Sequence, residues 1–532
     1  MNSGTAAQRQ RLFLQSAAIV GVSILLSRAL GFFREWAIAY QVGSNAITDA
    51  YYAAFTIPDI LNYLLAGGSL SLTFIPVFLE YFSKPRKEEA WRVFSIVLSA
   101  MTVLLVALLV VAEIYAGTLA RLIAPGFTAE QQEMVTHLTR IMLPAQAFFF
   151  LGGLLTAVQY AQGRFLIPSL APLIYNGMII AFGMLFSGRW GIEAFSWGVL
   201  EGSLVGNFLL QLYGARRLAA RFRFSLHLGH AGFRRFVRMT LPVMLGFSLI
   251  FIDDWAIRWC GSFLVPASIT WLSYGKTLMR VAVALFGQAA GVATYPILAR
   301  LAAEKKWPEM KEGLQEALRH VILTIVPVSA LMMILSQPIV FLLFSRTRLQ
   351  SHDLEQTELA MALFLVGAVA WGAQGIVGRG FYALGDTLTP SVIGSALALA
   401  WLPVYWYSAQ WFQHLGLAAA SSLGVLIYWG VLQVILYRRL QIPLGSLGSY
   451  LVRTAGCAGA AAAVAMLVER GLESVVSRPT MGGSLLHIAA VSVAYLASFL
   501  TIAVQARVAS RQELGTMLAR IGRRSSWSTS KT

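Results

Sequence analysis

Long apolar stretches follow one another down the chain, separated by short segments that gather charged and turn-forming residues. Read as windows bounded by those segments, they predict fourteen helices, near residues 12–40, 48–82, 93–120, 136–161, 168–187, 191–215, 237–262, 268–298, 318–344, 358–383, 388–408, 414–437, 450–469 and 484–506. Residues 387–437 contain no Asp, Glu, Lys or Arg, a run long enough to cross a hydrocarbon core of ~30 Å twice at ~20 residues per pass. A membrane β-barrel needs alternating segments of ~10 residues, and these runs are too long and continuous for that. Gly31, Pro58, Gly67-Gly68 and Pro76, inside the first two windows, are expected bends. The first apolar stretch carries Arg28 and lacks a small-residue cleavage pattern, so it reads as a retained helix.

Composition agrees and adds orientation. The 532 residues are 57% hydrophobic and 12% charged, where a soluble domain is nearer about 45–50% and 25%. The net charge of +17 suggests nucleic acid only if its position is ignored, because cytoplasmic loops of membrane proteins collect Lys and Arg. With both termini and the even-to-odd loops placed in the cytoplasm, those regions and the helix ends bordering them hold 29 of the 41 basic residues. The opposite loops hold six (Arg121, Arg189, Arg346, Arg348, Arg470 and Arg478), and six more lie within helices. The asymmetry implies an even number of spans with both termini inside, and no nucleic-acid partner. Residues 216–238 form the longest basic segment, with arginines interleaved with Leu, Phe and Ala. It reads equally as a linker obeying the inside rule or as a segment lying on the anionic inner leaflet. Cys260 and Cys457 fall in apolar segments, so neither a disulfide framework nor a Cys-based metal site is implied.

The chain also repeats itself. Glu35-Trp36-Ala37-Ile38 recurs as Asp254-Trp255-Ala256-Ile257 at an offset of 219, Pro76 recurs as Pro296 at 220, and the segment from Tyr160 to Pro168 recurs from Tyr382 to Pro390 at 222. Each match falls at the same helix ordinal plus six. Six spans per copy is an even number, so the copies share one orientation, as in transporters with parallel repeats. The expected architecture is an all-α polytopic membrane protein with two six-helix lobes around a central cavity and two extra C-terminal helices. The segments are an N-lobe over 1–217, a basic amphipathic cytoplasmic linker over 218–236, a C-lobe over 237–440, helices 13 and 14 over 441–510, and a basic cytoplasmic tail over 511–532.

Charges within spans are costly and therefore face protein or water. They concentrate in the four helices that the duplication pairs: Arg28, Arg34 and Glu35 in helix 1, Asp49 and Asp59 in helix 2, Asp253, Asp254 and Arg258 in helix 7, and Lys276 and Arg280 in helix 8. At 100° per residue Arg28, Gly31 and Glu35 share a stripe, as do Lys276 and Arg280. Asp254 and Arg258, four apart, are placed to pair with each other, and Arg34 needs a kink at Gly31 or a partner elsewhere. Five cations in the cavity helices point to an anionic ligand, since arginine grips phosphate in fork geometry and lysine acts as a point charge. The competing expectation is a set of buried ion pairs that lock helices together.

Other signals are weaker. Gly275-Lys276-Thr277 resembles the end of a phosphate-binding loop, but Thr270 stands where the first glycine belongs. No nucleotide-binding or catalytic constellation appears, so neither an enzyme nor ATP-driven transport within this chain is expected. The histidines are scattered without metal spacing. Glu113 and Glu201 suit hydrogen bonding better than proton relay. A cation-coupled drug exporter favours an acidic cavity, which these cations argue against, and a non-transporting scaffold leaves the cavity charges without a purpose.

The segment Ser27-Arg28-Ala29-Leu30-Gly31-Phe32-Phe33-Arg34-Glu35, followed by Thr48-Asp49-Ala50-Tyr51-Tyr52 and then Ala54-Phe55 and Pro58, resembles the opening of the MurJ (MviN) lipid II flippase family. That family belongs to the multidrug/oligosaccharidyl-lipid/polysaccharide exporter superfamily. Further matches are Ala124-Pro125-Gly126-Phe127, the stretch from Arg164 to Pro172 with Asn176, and Gly380-Phe381-Tyr382 with Asp386 and Thr389-Pro390. The resemblance spans helices 1 to 12.

It implies a flippase that moves an undecaprenyl-pyrophosphate-linked muropeptide from the cytoplasmic to the periplasmic leaflet of the bacterial inner membrane, in the service of peptidoglycan synthesis and cell shape. It further implies a lipid-tail groove at helices 13 and 14, and a monomer that associates with membrane lipids and with cell-wall synthesis machinery. By motif match Arg28 and Arg34 carry the pyrophosphate role, with Glu35 at the family's usual Asp and Asp49 at its matching Asp. The family usually has two arginines after Pro-Asn-x-Leu in helix 2, where this chain has Asn62-Tyr63, and its Tyr-Ala-Asp-Arg-Leu reads Tyr274-Gly275-Lys276-Thr277-Leu278. The expected pyrophosphate and cavity set is therefore Arg28, Arg34, Lys276, Arg280 and Asn62, with Lys276 and Arg280 compensating for the absent arginines. The expected gating or coupling set is Glu35, Asp49, Asp59, Asp253, Asp254 and Arg258. No cofactor is expected. Sodium, protons or the membrane potential are open choices for coupling through Asp253, Asp254 or Asp49. A flippase for another undecaprenyl-pyrophosphate oligosaccharide, such as an exopolysaccharide or O-antigen unit, stays open as the alternative.

Overall fold

The computed structural model describes residues 3–508, apart from 66–68, 83–86, 219, 246–248, 285–293, 295–297 and 475–479. Side chains are described from residue 21 onward, apart also from 64–72 and 242–251. Among the described residues every regular element is a helix, and eight helices are long and apolar enough to cross a membrane. Gly67, Gly68, Pro296 and the 511–532 tail lie outside the described residues.

Where the observed helices depart from the predicted windows, proline and local capping supply the reason. The first helix, Ser3–Gln41, runs through Gly31 without a break. The second window divides into Ala46–Ala54, Thr56–Leu65 and Ser69–Phe82. The first of these starts at a capping box, in which the Asn45 side chain accepts from the Ile47 and Thr48 amides at 2.9 and 3.2 Å and Thr48 Oγ1 accepts from the Asn45 amide at 2.8 Å. That cap fixes Asp49 in the first helical turn. Pro58 sits in the first turn of Thr56–Leu65, where a missing N–H costs nothing, so the expected bend is realised as a break at Phe55. Pro144 likewise separates Ala129–Met142 from Ala145–Ala161. Helices 11 and 12 appear as one element, Leu388–Leu440, interrupted at Gln413, whose φ of 53° and ψ of −141° leave helical geometry.

The chain divides into two compact units. One comprises Met1–Val281, Arg346–Gln356 and Thr387–Gly424. One of its apolar clusters is rich in aromatic residues, with Phe74, Phe78, Phe94, Phe150 and Phe236 fully buried. Close backbone approach requires glycine at several positions of this unit, Gly152 and Gly126 among them. A Cβ on Gly152 would lie 1.6 Å from the Asn207 carbonyl oxygen, inside the π-helical turn Ser203–Leu209, and one on Gly126 would lie 2.5 Å from the Ser262 carbonyl oxygen. The segment 220–227 has no regular structure. It is pinned along the Lys87–Ile114 helix by the Arg223 amide donating to Ser95 Oγ and the Ser225 amide donating to Ser99 Oγ, each at 3.1 Å. His230 then meets Glu89 at 2.7 Å. Phe222 and Phe224 remain exposed.

The other unit comprises Ala282–Ser345, Thr357–Asp386 and Val425–Thr532. Its core sets a stripe of small residues, Cys457, Ala458, Ala461, Ala462 and Ala465, against Val491, Tyr495, Phe499 and Ala503. Small side chains let helix backbones approach closely where lipid removes the hydrophobic drive for association. Both cysteines are free and buried.

Candidate functional site

A cavity of about 340 Å³ opens within the first unit. Four cations line it, Arg34, Arg258, Lys276 and Arg280, together with three carboxylates, Glu35, Asp59 and Asp254. Asn62, Tyr63 and Thr277, the departures from the family motifs, line it too. Aromatic residues Tyr51, Phe55, Phe149 and Tyr175 complete much of its wall.

Each cation has a partner. Arg34 Nη2 and Nε donate to Glu35 Oε1 at 2.6 and 3.2 Å, and Nη1 reaches Asn176 Oδ1 at 3.4 Å. The second Glu35 oxygen accepts from the Tyr52 hydroxyl. Arg34 therefore finds partners without a kink at Gly31. Arg258 Nη1 donates to Asp59 Oδ2 at 3.0 Å and to Thr56 Oγ1 at 3.2 Å. This differs from the expected pairing of Arg258 with Asp254 one turn away. Asp254 is taken by helix 8 instead, with Lys276 Nζ at 2.5 Å and Arg280 Nη2 at 3.1 and 3.2 Å. Lys276 Nζ also lies 2.5 Å from Asp253 Oδ2, and the Tyr405 hydroxyl donates to Asp253 Oδ1. The cationic excess expected of the cavity is thus reduced to four guanidinium or ammonium groups facing three lining carboxylates, with a fourth carboxylate, Asp253, buried behind them.

Three residues of the expected set lie off the cavity wall. Arg28 is exposed on Ser3–Gln41. Asp253 is buried at 3% exposure. Asp49, at 1% exposure, caps another helix: its carboxylate accepts from the Ala267 amide at 2.7 Å, the Thr270 amide at 2.8 Å and Thr270 Oγ1 at 2.6 Å, at the N-terminus of Ser268–Val283. A carboxylate there satisfies amides that have no helical partner and complements the positive end of the helix dipole.

Sequence reasoning did not assign roles to Tyr52, Tyr405 or Asn176. Tyr52 and Asn176 stand inside the motifs that carry the family resemblance, so a signal for them existed. Tyr405 had none, since it is 152 residues from Asp253 in a charge-free run. No group of three or more His, Cys, Asp or Glu side chains suited to a metal ion occurs among the described residues.

A family model described as lipid II flippase MurJ matches residues 38–504. A protein of Buchnera aphidicola subsp. Acyrthosiphon pisum named probable lipid II flippase MurJ is 27% identical over 429 residues, covering 80% of this chain and 84% of that one. A Burkholderia cenocepacia protein named lipid II flippase MurJ is 26% identical over 408 residues, covering 75% and 79%. Among solved structures, lipid II flippase MurJ in an inward closed conformation superposes with a TM-score of 0.76 at 19% identity, covering 92% of this chain and all of that one. A multidrug resistance transporter of the MATE family in an inward-facing conformation gives 0.64 at 16% identity, covering 80% and 98%.

Proposed function

Because the chain belongs to the lipid II flippase MurJ family, we propose that it moves lipid II, the undecaprenyl-pyrophosphate-linked peptidoglycan precursor, from the cytoplasmic to the periplasmic leaflet of the bacterial inner membrane. The observation that carries this reading beyond the family is the cavity's set of four cations, of which Arg34 and Arg280 keep 28% and 41% of their side-chain surface exposed. Guanidinium groups held in place by carboxylates are pre-oriented, so their remaining N–H donors meet an incoming diphosphate without a search through rotamers. Glu35 and Asp254 position these donors. Asn62 and Tyr63 add polar groups to the same cavity wall.

Only the polar head has to leave one leaflet for the other, while the polyprenyl tail stays in lipid. A water-filled cationic cavity is sufficient for that, and no bond in the cargo is made or broken. In this reading the copies over 1–217 and 237–440 alternate access to the cavity, and the helices over 441–510 accommodate the tail. Both termini face the cytoplasm.

Depletion complementation tests the proposal. The chain restores growth to a host stripped of its own lipid II flippase, and the Arg34→Ala/Arg280→Ala double variant does not, at equal membrane abundance. No rescue by an abundant wild-type chain, combined with rescue of a strain lacking an O-antigen or exopolysaccharide flippase, assigns the cargo to another undecaprenyl-pyrophosphate glycan.

A further inference from the structure

Asp253 and Asp254 are adjacent carboxylates within a predicted span, an arrangement that calls for a counter-charge. In this chain the counter-charge is covalent. The Lys276 ammonium stands 2.5 Å from Asp253 Oδ2 and 2.5 Å from Asp254 Oδ1. Arg280 donates to both Asp254 oxygens, and Tyr405 donates to the second Asp253 oxygen. Every oxygen of the two carboxylates therefore accepts at least one hydrogen bond. Two acids meet two cations, so the cluster is formally neutral, and both Asp253 and Lys276 are almost completely enclosed.

We propose that Lys276 is a resident counter-cation that fills, in tethered form, the position a dissociable metal cation would take between Asp253 and Asp254, so that these acids run through the transport cycle without binding sodium. A sodium ion entering here would have to displace an ammonium bound to both carboxylates and would meet the Arg280 guanidinium beside it. The helix arrangement accounts for the fit. Lys276 and Arg280 are one turn apart on Ser268–Val283, so they present two cations along one stripe to the acid pair on Leu249–Gly261. Lys276 thus acts as a positioning residue for the acid pair, while the exposed donors of Arg280 and Arg34 remain available to cargo.

The test reads stability and ion binding, so its outcome is separate from whether lipid II is the cargo. Purified full-length protein in nanodiscs is melted in sodium chloride and in choline chloride at equal ionic strength. The wild-type Tm is the same in both salts. Lys276→Met melts lower and gains a saturable rise of several degrees with sodium, because the vacated pair now takes a free cation. Lys276→Met/Asp253→Asn recovers part of the lost Tm and loses the sodium response, since one carboxylate is satisfied by Arg280. A saturable sodium-dependent rise in the wild type that Asp253→Asn abolishes overturns the proposal, and so does a folded Lys276→Met variant indifferent to sodium. If Lys276→Met yields no folded protein, radioactive sodium binding to the wild type against Asp253→Asn decides it: equal, background-level binding supports the proposal, and binding lost in Asp253→Asn overturns it.

Discussion

Two stretches related by the internal repeat solve the same problem in different ways. Arg34-Glu35 and Asp253-Asp254 occupy matching places, 219 residues apart and each followed by Trp-Ala-Ile. In the first stretch the charges cancel within the dipeptide, and neighbouring helices contribute the Tyr52 hydroxyl and Asn176 Oδ1. In the second copy both positions are acidic, and neutrality requires Lys276 and Arg280 from the next helix. A third pair, Arg258 with Asp59, joins the two copies across 199 residues. The comparison teaches that matching places in the repeat carry charge in both stretches, with the sign kept at Glu35 and Asp254 and reversed between Arg34 and Asp253. Balance is local in one copy and assembled in the other, so the second depends on helix 8 staying in register.

That dependence is open to measurement. Lys276→Met leaves Asp253 to the Tyr405 hydroxyl and Asp254 to Arg280, and breaking a buried pair from one side costs about 3–5 kcal/mol, read as the largest loss in thermal or denaturant stability of any single charge removal here. Arg34→Met leaves a single buried carboxylate, Glu35, without its cation, and the loss falls at the lower end of that range, about 3 kcal/mol, because Arg34 itself keeps 28% of its side-chain surface exposed. A loss for Arg34→Met equal to that for Lys276→Met would break the distinction between local and assembled balance. The double-mutant cycle of Arg258→Met with Asp59→Asn gives a coupling of about 1 kcal/mol, because Asp59 remains partly open to the cavity. Arg235→Ala, which removes an exposed partner of Glu80, changes stability by less than about 0.5 kcal/mol. A larger effect there would mean that charge, and not the backbone pins at Ser95 and Ser99, holds the linker.

The membrane-spanning helical class and the four charge-bearing helices were legible in the sequence, because hydropathy and buried charge are written residue by residue. Arg34, Glu35, Asp59, Asn62, Asp254, Arg258, Lys276 and Arg280 all line the cavity as their clustering implied. Their pairing was not legible. Asp254 has Arg258 at helical spacing but takes Lys276 and Arg280, and Arg258 turns to Asp59. Several cations could serve each acid, and only tertiary packing selects among them. Asp49, expected in the gating or coupling set, stands off the cavity wall and caps Ser268–Val283, a placement that a carboxylate alone does not reveal in the sequence. Pro58 announced a bend, and the structure realises it as a break at Phe55 between Ala46–Ala54 and Thr56–Leu65.

The irregular segment 220–227 carries a mechanical consequence. A connection of this length, if loose, would behave as a rope and let its ends move independently. Fastened at Ser95, Ser99 and Glu89, it has no slack over most of its course. It is a strut that hands any displacement of Lys87–Ile114 directly to the start of Ala231–Leu245, so those two helices move under a common load.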